Sequence, residues 1–71
     1  MKTTSSIETI VRAGGSVIID SSIMTTSIEK IVRAASPTSQ IIIKDADKMM
    51  VSSIEKIAKA ANGKTVIFDL T

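Results

Sequence analysis

Apolar positions along this chain follow two alternating patterns, one with the period of a helix and one with that of a strand. Met24, Ile28, Ile31, Val32 and Ala35 fall at i, i+4, i+7, i+8 and i+11, which draws one apolar stripe along a helix. Met50, Ile54, Ile57, Ala58 and Ala61 repeat that series position for position. Nearer the N-terminus Ile7, Ile10, Val11 and Gly14 keep the spacing, with Thr3 where the methionine would stand. After each helical stretch comes a short β-branched run: Val17-Ile18-Ile19-Asp20, Ile41-Ile42-Ile43-Lys44 and Val66-Ile67-Phe68-Asp69. Such runs suit strands, where branched side chains pack well on a pleated surface.

The units are copies of one another. Ser6-Ile7-Glu8-Thr9-Ile10-Val11-Arg12-Ala13 returns as Ser27-Ile28-Glu29-Lys30-Ile31-Val32-Arg33-Ala34, then as Ser53-Ile54-Glu55-Lys56-Ile57-Ala58-Lys59-Ala60. Glu8–Arg12, Glu29–Arg33 and Glu55–Lys59 are i,i+4 pairs on the polar face. The helices should stop at Gly14-Gly15, Ser36-Pro37 and Asn62-Gly63, all standard terminators. Two readings exist for where the second and third begin. Thr26-x-x-Glu29 and Ser52-x-x-Glu55 are capping boxes like Ser5-x-x-Glu8, but starting there leaves the methionines outside. Starting at Ser22 and Asp47 puts Met24 and Met50 on the stripe. Short isolated helices are marginal, so the longer helices are expected.

A helix between successive strands implies parallel crossover connections. The expected fold is therefore α/β, with three tandem helix–strand repeats (αβαβαβ) covering about 3–20, 22–44 and 47–70 of a single small domain, 1–71. Its three-stranded parallel sheet should run in the order 1-2-3 with the helices packed on one face. Aligning Val17, Ile41 and Val66 separates the two faces. One carries Val17/Ile19, Ile41/Ile43 and Val66/Phe68 and is wholly apolar. The other reads Ser16-Ile18-Asp20, Gln40-Ile42-Lys44 and Thr65-Ile67-Asp69, polar–Ile–charged in every strand. In that register Asp20, Lys44 and Asp69 make a −/+/− row, worth roughly 0.2–1 kcal/mol per opposite pair. Setting strand 1 beside strand 3 would instead bring two aspartates together. Ile18, Ile42 and Ile67 cross the same face as an apolar stripe. Isoleucine is a good strand former in any setting, yet a stripe rimmed by charge also has the character of a contact surface.

Val17-x-Ile19-x-x-Ser22-x-Met24 resembles the L-x-L-x-x-N-x-L pattern of leucine-rich-repeat β/α solenoids, with Ser22 in place of the asparagine. Ile28-x-x-Ile31-Val32 resembles the helical part of that repeat, and strand-to-strand spacings of 24 and 25 residues (Val17 to Ile41, Ile41 to Val66) agree with it. The second unit departs from the pattern at Asp45-Ala46-Asp47-Lys48, and Leu70 is the only leucine. Such solenoids are typically binding scaffolds. The resemblance thus implies a contact surface on the Ile18/Ile42/Ile67 face.

Composition narrows the chemistry. Seventy-one residues make one domain at most, and a chain this short needs idealised packing, a staple or a partner. With neither cysteine nor histidine there is no disulfide, no thiolate or imidazole ligand, and no neutral-pH imidazole base. Nine basic and seven acidic residues give a net charge of +2, too mild to point to nucleic acid or an anionic membrane. No apolar run approaches the roughly 18 residues of a membrane span. The opening Met1-Lys2-Thr3-Thr4-Ser5-Ser6 has no apolar core like that of a secretory leader, so a cytoplasmic location is expected.

Candidate sites each have a plainer explanation beside them. Asp20, Asp45, Asp47 and Asp69 lie at or just after strand C-termini, where open α/β sheets place ligands. They suit Mg²⁺, a hard cation. On the plainer reading Asp47 caps the third helix, Asp45 sits in a turn, and Asp20 and Asp69 pair with Lys44, which itself competes with a metal. Gly14-Gly15-Ser16 follows a helix and precedes a strand, the reverse of a phosphate-cradling loop. Ser5-Ser6, Ser21-Ser22 and Ser52-Ser53 have no histidine to activate them, so capping is their expected role. Arg12, Arg33 and Lys59 occupy one repeat position and form a basic ridge, largely cancelled by Glu8, Glu29 and Glu55.

The expectation is a non-enzymatic protein without catalytic, cofactor or metal residues. It should act by self-association, as a homodimer or higher, or by contact with another protein, through the exposed sheet face or the open edges at strand 1 or strand 3. Ile18, Ile42, Ile67, Asp20, Lys44 and Asp69 are its interaction surface. Neither a membrane nor a small-molecule substrate is implied. Two alternatives belong to other classes: a weak nucleic-acid binder using the Arg12/Arg33/Lys59 ridge, and a carboxylate Mg²⁺-dependent hydrolase.

Overall fold

The computed structural model describes residues 2–71, so Met1 of the expected domain lies outside the described residues. Helix α1 (Thr4–Arg12) opens on Thr3, whose Oγ1 accepts from the Ser6 N–H at 3.2 Å. It closes at Ala13, and Gly14 then takes φ +99°, a backbone that side-chain-bearing residues rarely adopt. Strand β1 (Val17–Asp20) leads to α2 (Thr25–Ala34), which ends as Ala35 turns extended ahead of Pro37. Strand β2 (Gln40–Lys44) passes through a short 3-10 turn, Ala46–Lys48, into α3 (Val51–Ala61). Left-handed Asn62 and Gly63 stop α3, and β3 (Thr65–Phe68) completes the order.

The structure is α/β, and its sheet is parallel in the order β1-β2-β3. Val17 pairs with Ile41, Ile18 with Ile42, Ile19 with Ile43 and Asp20 with Lys44; Ile41, Ile42 and Ile43 in turn meet Val66, Ile67 and Phe68. This is the register that the alternation of polar and apolar residues requires. A one-residue slip would have turned every buried side chain to the open face.

The helix starts differ from the expectation. Met24 and Met50 are the N-cap residues of α2 and α3, neither with a side-chain cap, and both are 71% exposed. The longer helices from Ser22 and Asp47 do not form. Ser22 instead donates its N–H to Asp20, and Asp47 lies in the separate 3-10 turn, so it does not cap α3. The capping boxes are not used either, since Ser5, Thr26 and Ser52 are already inside their helices. An apolar residue at i and i+4 fits a helix whether it stands at the first turn or at the cap just before it. Periodicity therefore cannot settle the boundary. Met24, which ends the solenoid-like pattern, stays out of the core.

The core lies between the sheet and the helix layer. Ile19, Ile41 and Ile43 are buried from below, and Ile28, Ile31, Val32 and Ala35 of α2 from above. The outer helices bury less: Ile7 and Val11 on α1, Ile57 and Ala61 on α3. α2 packs against both neighbours, whereas α1 and α3 each keep an open flank. That is why Ile10 and Ala58, members of the same stripe, face outward. Among the described residues no helix is long and apolar enough to cross a membrane.

Candidate functional site

Strand alternation places the polar–Ile–charged positions on the face opposite the helices. No described element covers that face. Ile18 is 65% exposed, Ile67 43%, and Ile42 between them is half-buried by its two neighbours. Gln40, Lys44 and Thr65 are exposed alongside. At the entry to the sheet, the Gln40 N–H donates to the Ser16 hydroxyl at 3.0 Å and joins the polar row across two strands. Among the described residues the outer edges of β1 and β3 carry no partner strand.

At the exit end, Asp20 and Lys44 are register partners, and the ladder runs past the strands through Ser21 N–H to Lys44 O at 3.1 Å and Asp69 N–H to Ile43 O at 3.0 Å. The charges nevertheless do not close into salt bridges. Neither aspartate comes within 4.0 Å of Lys44; the close ion pairs among the described residues are Arg33–Glu29 at 3.4 Å and Lys59–Glu55 at 4.0 Å. The expected Glu8–Arg12 pair is not formed. Each aspartate is taken up by its own following turn. Ser22 draws the Asp20 carboxyl below its ordinary value, through its hydroxyl first and then its N–H, with a lesser pull from Lys44. The Thr71 hydroxyl and N–H do the same for Asp69. Short-range hydrogen bonds to a carboxylate outweigh a solvated charge a few ångströms further away. So the −/+/− row exists as a row of positions, not as contacts.

Asp20 and Asp45 also line an open hollow of about 320 Å³ at the strand exits, with Ser21, Ser22, Thr25 and Lys48. Asp45 reaches it through a left-handed backbone, φ 55°, in the turn where the sequence places it. Among the described residues, no three carboxylates converge as a cation cage would need.

Two further surfaces are hollow, and one of them takes in part of the basic ridge. Beside the β1 edge an apolar groove of about 410 Å³ runs between Ile10, Ile18 and Ile23, with Lys2 and Lys44 at its margin. On the helix layer Arg33, Lys56, Lys59 and Lys64 gather with Glu29 around a hollow of about 590 Å³. Arg12 is not part of it, so the structure assembles two of the three ridge residues and adds Lys56 and Lys64. Lys64 is drawn in because its Nζ donates to the carbonyls of Arg33 at 2.7 Å and Val32 at 3.4 Å, at the negative end of α2. Only the fold brings residues 31 and 32 positions apart together.

Comparison with protein-family models, with curated proteins and with solved structures yields no match.

Proposed function

We propose that this is a non-enzymatic α/β repeat protein, of the β/α-solenoid type, that acts by protein–protein contact through the open face of its sheet. The occupant is a second copy of the chain. One observation carries the reading: among the described residues nothing covers one face of a purely parallel sheet, and that face presents Ile18, Ile42 and Ile67 as a continuous row. All-parallel sheets occur almost only with both faces covered. Here the helices cover one and leave the other to solvent.

Sedimentation tests it. Three strands of four or five residues give a patch of only about 14 by 16 Å. That is well under the ~800 Å² per partner of a standard interface, so association should be weak, at tens to hundreds of micromolar. The wild-type chain should therefore show concentration-dependent dimer in that range. Ile42→Lys should abolish it, and so should Ile18→Lys, a change at a more exposed position that spares the fold. A monomer at several hundred micromolar, or a dimer indifferent to both changes, would sink the reading.

The basic hollow around Arg33, Lys56, Lys59 and Lys64 favours a second reading, an anionic partner such as nucleic acid. It is the weaker one, because Glu29 and Glu55 lie against two of the four cations. Binding that falls steeply with added salt would favour it, since phosphate contacts release counterions and apolar association does not.

A further inference from the structure

The open face carries more information than its isoleucines. Its three rows differ in kind: Ser16, Gln40 and Thr65 are uncharged hydrogen-bonding residues, Ile18, Ile42 and Ile67 are apolar, and Asp20, Lys44 and Asp69 are charged. In an aligned face-to-face dimer the two-fold axis lies in the interface and runs either along the strands or across them. The rows distinguish the two.

An axis along β2 exchanges β1 with β3 and keeps each row upon itself. Lys44 would then meet the partner's Lys44, and Asp20 the partner's Asp69. Every charged contact would be between like charges. An axis across the strands, through the isoleucine row, reverses the strand direction and exchanges the outer rows. Ile42 then sits on the partner's Ile42. Lys44 meets the carboxamide oxygen of the partner's Gln40, and Asp20 and Asp69 meet the hydroxyls of the partner's Ser16 and the partner's Thr65. Each ion gains a neutral hydrogen-bonding group of the right sense, and no like charges touch. Head-to-tail stacking of β3 on a second β1 is also disfavoured, because it sets Asp69 beside the partner's Asp20.

Resting on the protein–protein reading above, we infer that two copies of this chain pack sheet to sheet about a two-fold axis crossing the strands at Ile42, with their strands antiparallel across the interface. Aligned sheets cross at about 30°, which displaces the corner contacts most. Gln40 and Lys44 both lie on the central strand, two residues either side of Ile42, and are displaced least. They are the pair to test.

The experiment is sedimentation equilibrium from about 10 µM to 1 mM at low salt on wild type, Gln40→Asp and Gln40→Lys. Ser52→Asp and Ser52→Lys, on an exposed position of α3, carry the same net-charge changes away from the sheet. In the inferred arrangement Gln40→Asp makes two new ion pairs per dimer, and association tightens by about 2- to 10-fold. Gln40→Lys makes two like-charge contacts and weakens it by a similar factor, while both Ser52 variants stay close to wild type. If Gln40→Asp and Gln40→Lys both weaken the dimer, the axis runs along the strands and the inference is overturned. If neither moves it, or if the Ser52 variants move it as much, the copies do not meet through these rows and the inference is again overturned. In those cases the wild-type dimer persists and protein contact stands as the function. A chain that stays monomeric in all five forms overturns the function and the arrangement together.

Discussion

The hydroxyl of Ser39 donates to the carbonyl of Val11 at 2.9 Å, tying the entry of β2 to the last turn of α1 across 28 positions of sequence. Ser39 is the one buried polar residue among those described, 1% exposed. The same carbonyl also accepts the N–H of Ser36 at 2.9 Å and of Gly14 at 3.2 Å. Because those two donors remain, removing the hydroxyl leaves no orphaned acceptor, and the loss is that of one hydrogen bond rather than of a desolvated group. Ser39→Ala should therefore cost about 1 kcal/mol in chemical denaturation. A loss above about 3 kcal/mol would mean that the Val11 carbonyl does not keep its other partners.

Gly15 marks the tightest approach among the three glycines. A Cβ there would lie 2.7 Å from Ile10 Cγ2 and 3.0 Å from the Ile10 carbonyl oxygen, whereas a Cβ at Gly63 meets nothing within 4 Å. Gly15→Ala must push α1 away from the turn, with an expected cost of about 1–3 kcal/mol. Gly63→Ala has open space but a φ of +87°, so only the left-handed penalty of about 1–2 kcal/mol applies. Thermal unfolding of the pair separates steric from conformational cost. Adding Ile10→Ala should recover part of the loss at Gly15 and none at Gly63.

Strand pairing was legible because the polar–Ile–charged alternation admits one register, and because a 1-3 neighbour relation would have set Asp20 against Asp69. The exposure of Ile18 and Ile67 followed from the same alternation. The behaviour of Asp20 and Asp69 was not legible. Their nearest partners are Ser22 and Thr71, two residues on in sequence; capping is the expected role of Ser22, and nothing in the pattern marks Thr71. Lys64 was out of reach for another reason: its contact with α2 depends on where β3 begins relative to a helix some thirty residues earlier. Periodicity finds which face a residue occupies. It does not find which carbonyl lies within a lysine's length.

The lowered carboxyl values set a direction for acid stability. A carboxylate held below its ordinary value of 3.8 in the folded chain stabilises the fold above that pH, and this contribution is lost as pH falls toward the folded value. Both residues are only part-buried, so the effect should be small and confined to pH below about 4. Carboxyl-detected NMR titration should find Asp20 and Asp69 titrating below the ordinary aspartate value. Ser22→Ala should raise Asp20 alone, and Thr71→Ala should raise Asp69 alone. If Lys44→Gln moved both as far as those changes do, the turn hydrogen bonds would not be the cause.

The uncapped methionines offer the sharpest test of where the helices begin. Met24 and Met50 have extended backbone (φ −56° and −68°, ψ 140° and 144°) and leave the first-turn N–H groups of α2 and α3 without a side-chain acceptor. A short oxygen-bearing side chain there can accept from the N–H two or three residues on, as Thr3 does at α1. Since both methionines are largely exposed, little apolar burial is lost in replacing them. Met24→Ser and Met50→Asp should each stabilise the chain by about 0.5–1.5 kcal/mol, with Asp adding a favourable interaction with the positive end of α3. The outcome would be opposite if the helices began at Ser22 and Asp47. Position 24 and position 50 would then be interior stripe positions, and a polar residue at either would destabilise. The sign of the change in denaturation midpoint thus decides between the two boundaries.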